Sequence, residues 1–439
     1  MDVFLLPKKK LTSFQIIILG FLGVILLGTI LLMLPLSSKD GCVTPFLDAL
    51  FTSTSAVCVT GLVLHDTATY WSNFGQLVIL LLIQIGGLGV VTVGGAFAIL
   101  SGRRIGLMQR STMQEAISAP KVGGIVRLTS FIIKTTLLIE LAGAAFMAPV
   151  FCRDFGAKGL WMALFHSISA FCNAGFDLMG ARASFSSLTS YAEEPVINLT
   201  IMLLIIIGGI GFLTWDDIRS NRLHLHQYRM QSKIILCTTA LLLAAPAVYF
   251  FFFEFGSLEP EKRILASLFQ SVTPRTAGFN TVDLASLSEA GQCITIVLML
   301  IGGSPGSTAG GMKTTTVAVL FATAISTFRR QESVHFFGRR VDDDVVKNAA
   351  TILIMYLVLF FFGGLTISIA EKLPMLTCLF EAASAVGTVG LSLGITPGLG
   401  IVSKIILVTL MFCGRVGGLT LIFAALSGTQ KNVSKFPRE

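Results

Sequence analysis

The chain has 439 residues, of which 54% are hydrophobic and only 13% are Asp, Glu, Lys or Arg, and its mean hydropathy is +0.82. Soluble globular proteins carry about 25% charged residues, so this composition excludes an ordinary water-soluble enzyme, a disordered chain and a disulfide scaffold. It predicts a polytopic membrane protein. The 43 glycines are too many for simple lipid-facing helices and predict close helix packing or backbone that serves as a functional surface.

Long apolar runs come in four pairs along the chain, and each pair encloses a short, more polar segment. The first run is long enough to cross a bilayer, which takes about 20 residues. It has no small-residue cleavage site and predicts a retained helix, not a signal peptide. The first members of the pairs cover 13–36, 128–151, 234–253 and 345–370, and the second members cover 74–100, 196–215, 293–328 and 401–426.

Each enclosed segment starts with Leu-Phe, continues with small and hydroxyl residues, and reaches a glycine that is followed by Leu or Phe. The segments cover 50–62, 164–176, 268–279 and 379–391, and their glycines are Gly61, Gly175, Gly278 and Gly390. They are too short and too polar to cross a membrane, because ten helical residues rise only about 15 Å. With two full spans in every copy, all copies enter from the same side, so the repeats are parallel.

The predicted fold class is an all-α polytopic membrane protein with four parallel membrane–pore-loop–membrane repeats. Eight spans and four half-helices would surround a pseudo-fourfold pore along the membrane normal. The repeats are predicted to cover 13–100, 128–215, 232–328 and 345–426, and the second span of the third repeat is broken at 302–311.

Four glycine turns that meet on one axis predict a ring of backbone carbonyls. Such rings replace the hydration shell of K⁺ in channels. Glycine leaves the pore free of side chains, and the half-helices turn their partly negative C-terminal ends towards the centre. The alternative is that each glycine only ends its half-helix as a C-cap. The predicted K⁺ filter consists of Val59, Thr60, Gly61, Asn173, Ala174, Gly175, Thr276, Ala277, Gly278, Thr388, Val389 and Gly390.

Cations concentrate at both ends of the chain and between the repeats. The net charge is +8, and the cation-rich stretches are 8–10, 103–127, 219–233, 329–347 and 431–438. The positive-inside rule therefore predicts cytoplasmic N- and C-termini in a multi-pass protein of the cell membrane. Some of these cations could instead dock a cytoplasmic partner. They form no single patch for nucleic acid, and the eight scattered cysteines show no CxxC spacing that would predict a metal or disulfide framework.

Two runs of sequence, TSAVCVTGL at 54–62 and GGSPGSTAGGMKT at 302–314, occur together with the four glycine turns. In this combination the chain resembles the membrane subunit of the Trk/Ktr/HKT potassium transporters, and within that family it is most similar to KtrB. The resemblance implies potassium uptake, with coupling to Na⁺ left open, a homodimer in the lipid bilayer, and a separate cytosolic nucleotide-binding regulatory subunit of the RCK type. Glycine at all four filter positions resembles the K⁺-selective members, because sodium-preferring plant relatives tend to carry serine in the first turn.

The stretch 302–311 interrupts an apolar run with glycines, a proline and hydroxyl residues, so it cannot continue as a regular helix. Non-helical backbone at membrane depth must be buried in protein or line a cavity. The resemblance implies that this loop is an intramembrane gate below the filter; a static kink is the alternative. A nucleotide-binding P-loop is rejected, because Met312 precedes the lysine and both flanks are apolar. The predicted gate residues are Gly302, Gly303, Ser304, Pro305, Gly306, Ser307, Thr308, Ala309, Gly310 and Gly311.

Three charged residues lie in or beside the predicted spans and turns. Arg415 in the last run would cost about 2.5–3.5 kcal/mol at the bilayer centre. Our hypothesis is that it lies under the filter, contacts the 302–311 loop and tunes cation passage electrostatically; members of the family also have an arginine in this span. A purely structural pairing with a carboxylate or carbonyls is the alternative. For Glu140 a structural role in helix packing is favoured over an ion site, and Arg275 is expected to be paired or turned away from the axis.

The function predicted from these features is K⁺ translocation. An enzyme is not predicted, since no paired catalytic groups such as Ser/His or HExxH stand at sensible positions. The alternative is a secondary transporter of another small solute or cation with a site at the bilayer midplane. Such a transporter is expected to show several broken helices and intramembrane acids, whereas one break is prominent in the sequence.

Overall fold

The fold is almost entirely helical. The computed structural model describes residues 12–101, 105–119, 121–222, 224–418 and 420, so the predicted cytoplasmic ends and the cations at 103–104 lie outside the described residues. A short antiparallel hairpin, β1 (His335–Phe336) and β2 (Arg339–Arg340), precedes the fifteenth helix. The α-helices in chain order are α1 (Ser13–Met33), α2 (Phe46–Val57), α3 (Thr67–Tyr70), α4 (Asn73–Leu88), α5 (Val90–Leu100), α6 (Leu107–Ile117), α7 (Ile125–Phe155), α8 (Lys158–Phe171), α9 (Pro195–Gly209), α10 (Phe212–Asn221), α11 (Met230–Tyr249), α12 (Pro260–Val272), α13 (Glu289–Leu300), α14 (Thr314–Phe328), α15 (Asp343–Glu371), α16 (Met375–Gly387) and α17 (Ile401–Val416).

Four unbroken helices are long and apolar enough to cross a membrane, and each occupies one of the four predicted first runs. They are Ser13–Met33, Ile125–Phe155, Met230–Glu254 and Asp343–Glu371, of which the third is α11 extended by a turn of π-helix. Two bent pairs, α4 with α5 and α9 with α10, meet the same criterion when each is taken as one span. The described part of the chain thus offers four to six candidate spans by length and composition, and the eight-span arrangement stays a prediction.

The second runs of the first two repeats are not continuous helices, which corrects the expectation of one prominent break. α4 ends at Leu88 and α5 begins at Val90 after a 95° change of direction, and the same angle separates α9 from α10. Gly89 (φ +87°) and Gly211 (φ +92°) form these corners, in a backbone conformation that a right-handed helix lacks and that glycine adopts at little cost. Gly417 ends α17 with a φ of +86°, and of the rest of that predicted run, to 426, only residues 418 and 420 are among those that the structure describes.

A short helix lies between the two runs of every repeat. α2, α8, α12 and α16 have 12, 14, 13 and 13 residues, which makes them about 18–21 Å long, and each packs on the long helix before it. Proline opens three of them, with Pro45 and Pro374 at the N-cap and Pro260 in the first turn. Proline is tolerated there because its missing N–H breaks no helical hydrogen bond. The C-terminal halves of these helices are buried, so each leads the chain into the centre of the protein.

Candidate functional site

Each glycine turn contains two residues with left-handed backbone. The glycines have φ angles of +92° at Gly61, +70° at Gly175, +79° at Gly278 and +93° at Gly390. The residues two positions earlier also have positive φ angles, and they are Val59, Asn173, Thr276 and Thr388. A positive φ is rare for β-branched residues such as valine and threonine, and it persists only where the surrounding structure enforces it. The four turns therefore share one strained backbone conformation.

The half-helices end before they reach their glycines. α2 has its C-cap at Cys58 and α16 has its C-cap at Thr388, whereas Gly61 and Gly390 stand beyond these positions. The same holds for α8 and α12, which end before Gly175 and Gly278 respectively. The alternative in which each glycine is only a helix C-cap is therefore wrong.

The four turns close into a ring in the order of the chain. A Cβ atom built on Gly61 would lie 2.5 Å from the carbonyl oxygen of Ala174, and one built on Gly175 would lie 2.8 Å from that of Ala277. The two remaining contacts complete the circle and join Gly278 to the carbonyl of Val389 and Gly390 to the carbonyl of Thr60. Each repeat thus presents its glycine to a backbone oxygen of the next repeat, with no room for a side chain between them.

A hydroxyl group on each half-helix holds the turn that follows it. In the first and fourth repeats the glycine N–H donates to the hydroxyl oxygen, over 3.1 Å from Gly61 to Ser55 and 3.0 Å from Gly390 to Ser384. In the second and third repeats the hydroxyl donates to a carbonyl just after the glycine, over 2.7 Å from Ser169 to Phe176 and 2.5 Å from Thr273 to Phe279. These bonds fix the turns from behind, so their backbone oxygens are held in place by the protein itself.

One cavity of about 270 Å³ is lined by all four turn glycines, which places the turns around a common axis. Three carboxylates also line this cavity, those of Asp66, Asp177 and Asp283. Carboxylates lining a cleft give it a negative potential that concentrates cations. The sequence alone did not single out these three acids, which follow their glycines by five, two and five positions and have no counterpart after Gly390 in the fourth turn.

The 302–311 loop replaces helix between α13 and α14 and is closed at its base by backbone hydrogen bonds. The Gly302 N–H donates to the Met312 carbonyl over 2.8 Å, and the Thr314 N–H donates to the Gly303 carbonyl over 3.0 Å. Ile301 and Met312 pair as a parallel bridge. The loop therefore has a defined base that keeps its two ends together where the helix is interrupted.

The tip of the loop lies against the second repeat. The Phe212 N–H donates to the Gly306 carbonyl over 2.7 Å, at the corner between α9 and α10. Thr308 donates twice, from its N–H to the Gly208 carbonyl over 3.3 Å and from its hydroxyl to the Phe171 carbonyl over 3.0 Å. Phe171 is the last residue of α8. The bent helix and the half-helix of one repeat thus both hold the tip of the loop.

The other side of the loop touches the fourth turn. A Cβ atom built on Gly311 would lie 2.9 Å from the carbonyl oxygen of Gly387, and one on Gly310 would meet the side chain of Thr388. Both partners lie at the C-terminal end of α16. The loop therefore crosses from the second repeat to the fourth directly beside the ring.

Arg415 joins the loop to the first repeat. Its guanidinium group donates to the Thr308 carbonyl in the loop and to the Gly86 carbonyl near the end of α4, and its Nη2 lies 3.1 Å from the Gly87 carbonyl oxygen. These acceptors are all backbone oxygens, and no ion pair of Arg415 with a carboxylate occurs in the described ranges. A second cavity of about 230 Å³ is lined by Arg415 together with Gly306, Ala309 and other loop residues.

Two further cations are placed by the structure. From the sequence alone, Lys313 is simply a cation at the cytoplasmic end of a half-span. In the structure its Nζ donates to the carbonyls of Ala309 (2.9 Å) and Gly310 (3.3 Å) and so braces the loop from inside. The lysine directly after the glycine-rich run was the only sequence signal for this role. Arg275 is buried and its Nη2 donates to Thr239 on α11 over 3.3 Å, so its side chain points away from the turn.

Glu140 is buried in α7 and contacts two neighbouring helices. Its Oε2 accepts a hydrogen bond from Gln84 of α4 over 3.2 Å, and its Oε1 lies 3.9 Å from the thiol sulfur of Cys172, the C-cap of α8. Its backbone carbonyl accepts from the Ser167 hydroxyl over 2.6 Å. These partners support the structural interpretation of this acid.

Comparison with known proteins adds sequence relatives over nearly the whole chain. The family model described as "TrkH: Cation transport protein" matches residues 5–435. The potassium/sodium uptake protein NtpJ of Enterococcus hirae is 38% identical, over 98% of this chain and 97% of its own. The Ktr system potassium uptake protein B of Bacillus subtilis is 38% identical over 97% and 95% of the two chains, and that of Vibrio alginolyticus is 36% identical over 98% and 95%.

A solved structure matches as well. The crystal structure of the potassium transporter TrkH from Vibrio parahaemolyticus superposes with a TM-score of 0.74 at 19% identity, over 96% of this chain and 86% of that one. At this level of identity the likeness shows the fold. With the long apolar helices, these matches describe a multi-pass membrane protein from a family of ion transporters, as the sequence analysis predicted. The chain belongs to the TrkH family of cation transport proteins.

Proposed function

We propose that this protein takes up potassium ions across the cell membrane through the ring of backbone carbonyls. The observation that carries the proposal is the closure of the four glycine turns, in which the glycine of each repeat faces a carbonyl of the next. A ring of carbonyl oxygens can replace the hydration shell of K⁺. The names of the relatives, a potassium/sodium uptake protein and two potassium uptake proteins, support the same cargo.

The proposed filter consists of the three predicted residues of each turn, twelve in all. The left-handed backbone of the first and third residue of each turn and the hydroxyl bonds behind the turns support this assignment. In operation, K⁺ would enter from the cavity lined by Asp66, Asp177 and Asp283, exchange water for backbone oxygens at the ring, and leave past the 302–311 loop. Coupling to Na⁺ is a separable part of the proposal, which the name of the Enterococcus relative supports.

The 302–311 loop is proposed as the gate, with Arg415 as its electrostatic and mechanical partner. The loop contacts the second and fourth repeats, and Arg415 bridges it to the first, so its position depends on three of the four repeats. Polar backbone in a loop of this kind is stable in a membrane only when it is buried in protein or lines a cavity. A movement that breaks the Arg415 contacts would change the path below the ring.

The proposed membrane arrangement has eight spans in four parallel repeats, with both termini in the cytoplasm. The cation-rich stretches between the repeats support this orientation. A cytosolic RCK-type nucleotide-binding subunit and a second copy of this chain are the proposed partners. The Bacillus subtilis relative is named as protein B of a Ktr system, which is compatible with a protein that works together with a further component.

Uptake in cells tests the proposal directly. Expression of the chain with an RCK-type subunit in bacteria that lack K⁺ uptake is expected to restore growth at low K⁺ and to produce saturable Rb⁺ uptake. Gly278→Val serves as the inactive control, because its side chain would meet the Val389 carbonyl. No K⁺ or Rb⁺ uptake by chain that is verified in the membrane would contradict the proposal, and uptake of another small solute instead would favour the secondary transporter.

Two replacements of Glu140 distinguish a structural role in helix packing from a role in ion binding. Glu140→Leu leaves the Gln84 amide without its acceptor, and an unsatisfied buried polar group costs about 1–3 kcal/mol, so we expect a lower melting temperature in detergent. Glu140→Gln keeps an acceptor oxygen and is expected to retain both the melting temperature and Rb⁺ uptake. Loss of uptake by Glu140→Gln at an unchanged melting temperature would indicate an ion site.

A further inference from the structure

An open cavity of about 790 Å³ lies between the end of α5, the start of α7 and α10, and it is strongly basic. Four of its lining residues are cations, namely Arg110, Arg127, Lys134 and Arg219, and no acid lines it. Its apolar lining includes Ile99 and Phe131. Four positive charges in one cavity without a carboxylate repel one another, and an anion in the cavity would relieve that repulsion.

No carboxylate among the described residues forms an ion pair with these four cations. Arg127 and Lys134 are exposed and make no ion pair or hydrogen bond in the described part of the chain. Arg219 lies over the ring of Phe131 at 4.7 Å, and Arg110 donates only to the Ile105 carbonyl over 3.1 Å. Arg127 and Arg219 also line the adjoining cavity, where the carboxylate of Asp216 is already paired with Arg229 at 2.8 Å.

The basic cavity continues into an apolar stripe on the same face of α7. Arg127 and Lys134 are followed by Leu138 and Leu141, and these spacings of 7, 4 and 3 residues keep all four on one side of a helix. Leu138 is 69% exposed and Leu141 is 61% exposed. A surface with cations at one end and exposed leucines along the rest fits a molecule with an anionic head and apolar tails.

We propose that this cavity binds the phosphate headgroup of an anionic phospholipid, with its acyl chains along the leucine stripe of α7. Basic pockets between membrane helices at the cytoplasmic level are suited to such headgroups, and lysine can reach a headgroup while its methylenes stay on apolar surface. A soluble phosphate would use the cations but not the leucines. The inference rests on the membrane orientation of the proposed function, which places this end of α7 at the cytoplasmic surface.

The site adjoins the elements that hold the 302–311 loop. α10, which carries Arg219, begins at Phe212, whose N–H donates to the Gly306 carbonyl of the loop. α5, which carries Ile99, follows the corresponding corner of the first repeat. A headgroup that bridges α10 and α7 would brace the bend against which the loop tip lies.

Lipid retention on the purified full-length protein tests the site without any transport assay. After exchange into mixed micelles of phosphatidylglycerol and phosphatidylcholine, native mass spectrometry is expected to show preferential retention of phosphatidylglycerol. The double variant Arg127→Gln/Lys134→Gln should reduce that preference by about 25-fold, since each cation near a headgroup contributes about fivefold. The double variant Lys158→Gln/Lys372→Gln, which removes two exposed lysines elsewhere, should retain it. Melting temperatures in phosphatidylcholine alone establish that both variants are folded.

Three outcomes would overturn the proposal. Equal retention of the two lipids by the parent protein would show that the cavity does not select an anionic headgroup. Displacement of phosphatidylglycerol by millimolar inorganic phosphate would show that the cations bind phosphate without the acyl chains. Unchanged lipid retention in Arg127→Gln/Lys134→Gln, accompanied by loss of regulatory-subunit binding or of dimers, would make this face a protein interface. Retention is read independently of K⁺ flux, so failure of the lipid site and failure of the transport proposal are distinguishable.

Discussion

Gly61→Ser is expected to reduce discrimination between K⁺ and Na⁺ by about tenfold, a loss of about 1.4 kcal/mol in relative binding. A Cβ atom at this position would lie 2.5 Å from the Ala174 carbonyl oxygen, which is closer than non-bonded carbon and oxygen can approach. The φ of +92° at Gly61 is also one that serine rarely adopts. The first and second turns must therefore separate or rotate, and the carbonyls of the proposed filter lose their spacing.

Competition measurements check this expectation. Initial rates of Rb⁺ uptake at increasing external Na⁺ would be compared between the parent, Gly61→Ser and the control Gly41→Ser. Gly41 also has a positive φ of +67°, but a Cβ there meets nothing within 4 Å, so the control carries a strained glycine replacement without the clash. If Gly61→Ser kept the parent's competition curve while reaching the membrane in normal amount, the first turn would not belong to the filter.

The family and the four glycine turns were predictable because one sequence motif recurs four times along the chain. Four Leu-Phe segments with glycines at equivalent positions occur once per repeat, and a single copy would not have distinguished a functional turn from a helix cap. The order of the ring was not predictable, since the contact of Gly61 with Ala174 joins residues more than 100 positions apart. That order is set by how the long helices pack.

The bends in the second runs of the first two repeats could not be predicted from the sequence. Glycines precede both corners, in GGLG ending at Gly89 and GGIG ending at Gly211, but a glycine inside an apolar helix costs only about 1 kcal/mol. That is too little to decide between a straight span and a bend. At the second corner, the Phe212 N–H donates to the carbonyl of Gly306, a residue far away in the sequence. This contact could not be predicted from the sequence around the corner.

These corners also bear on the alternative of a secondary transporter, which was expected to show several broken helices. The breaks alone no longer separate the two functions. Two buried acids do so better, because both are hydrogen-bonded within the protein. Glu140 of α7 accepts from Gln84, and Glu381 of the half-helix α16 accepts from the hydroxyls of Ser392 and Thr396. The carboxyl groups of both acids are therefore occupied by protein partners, unlike the free acid that a solute site at the bilayer midplane would need.

Arg415→Gln is expected to raise Rb⁺ uptake about tenfold when no regulatory subunit is present. The guanidinium group holds the loop through the Thr308 carbonyl and the end of α4 through the Gly86 and Gly87 carbonyls. Hydrogen bonds from a charged group contribute about 1.5–3 kcal/mol each. For the proposed gate, in which the loop breaks at least one of these bonds when it opens, the loss shifts the opening equilibrium by at least about tenfold. Glutamine is shorter and uncharged and cannot reach both sides.

A companion variant, Arg415→Lys, separates the effect of the charge from the effect of the hydrogen-bond geometry. Arg415→Lys keeps the positive charge but loses the planar fork that reaches several carbonyls at once. If the bridge matters, Arg415→Lys should release the loop nearly as much as Arg415→Gln; if only the charge repels cations below the ring, it should resemble the parent. Arg339→Gln, on the exposed hairpin, controls for loss of an arginine elsewhere. Parent-like uptake kinetics in Arg415→Gln, both with and without the regulatory subunit, would leave Arg415 a structural residue, because a bridge that constrains the loop cannot be removed without changing the rate at which ions pass it.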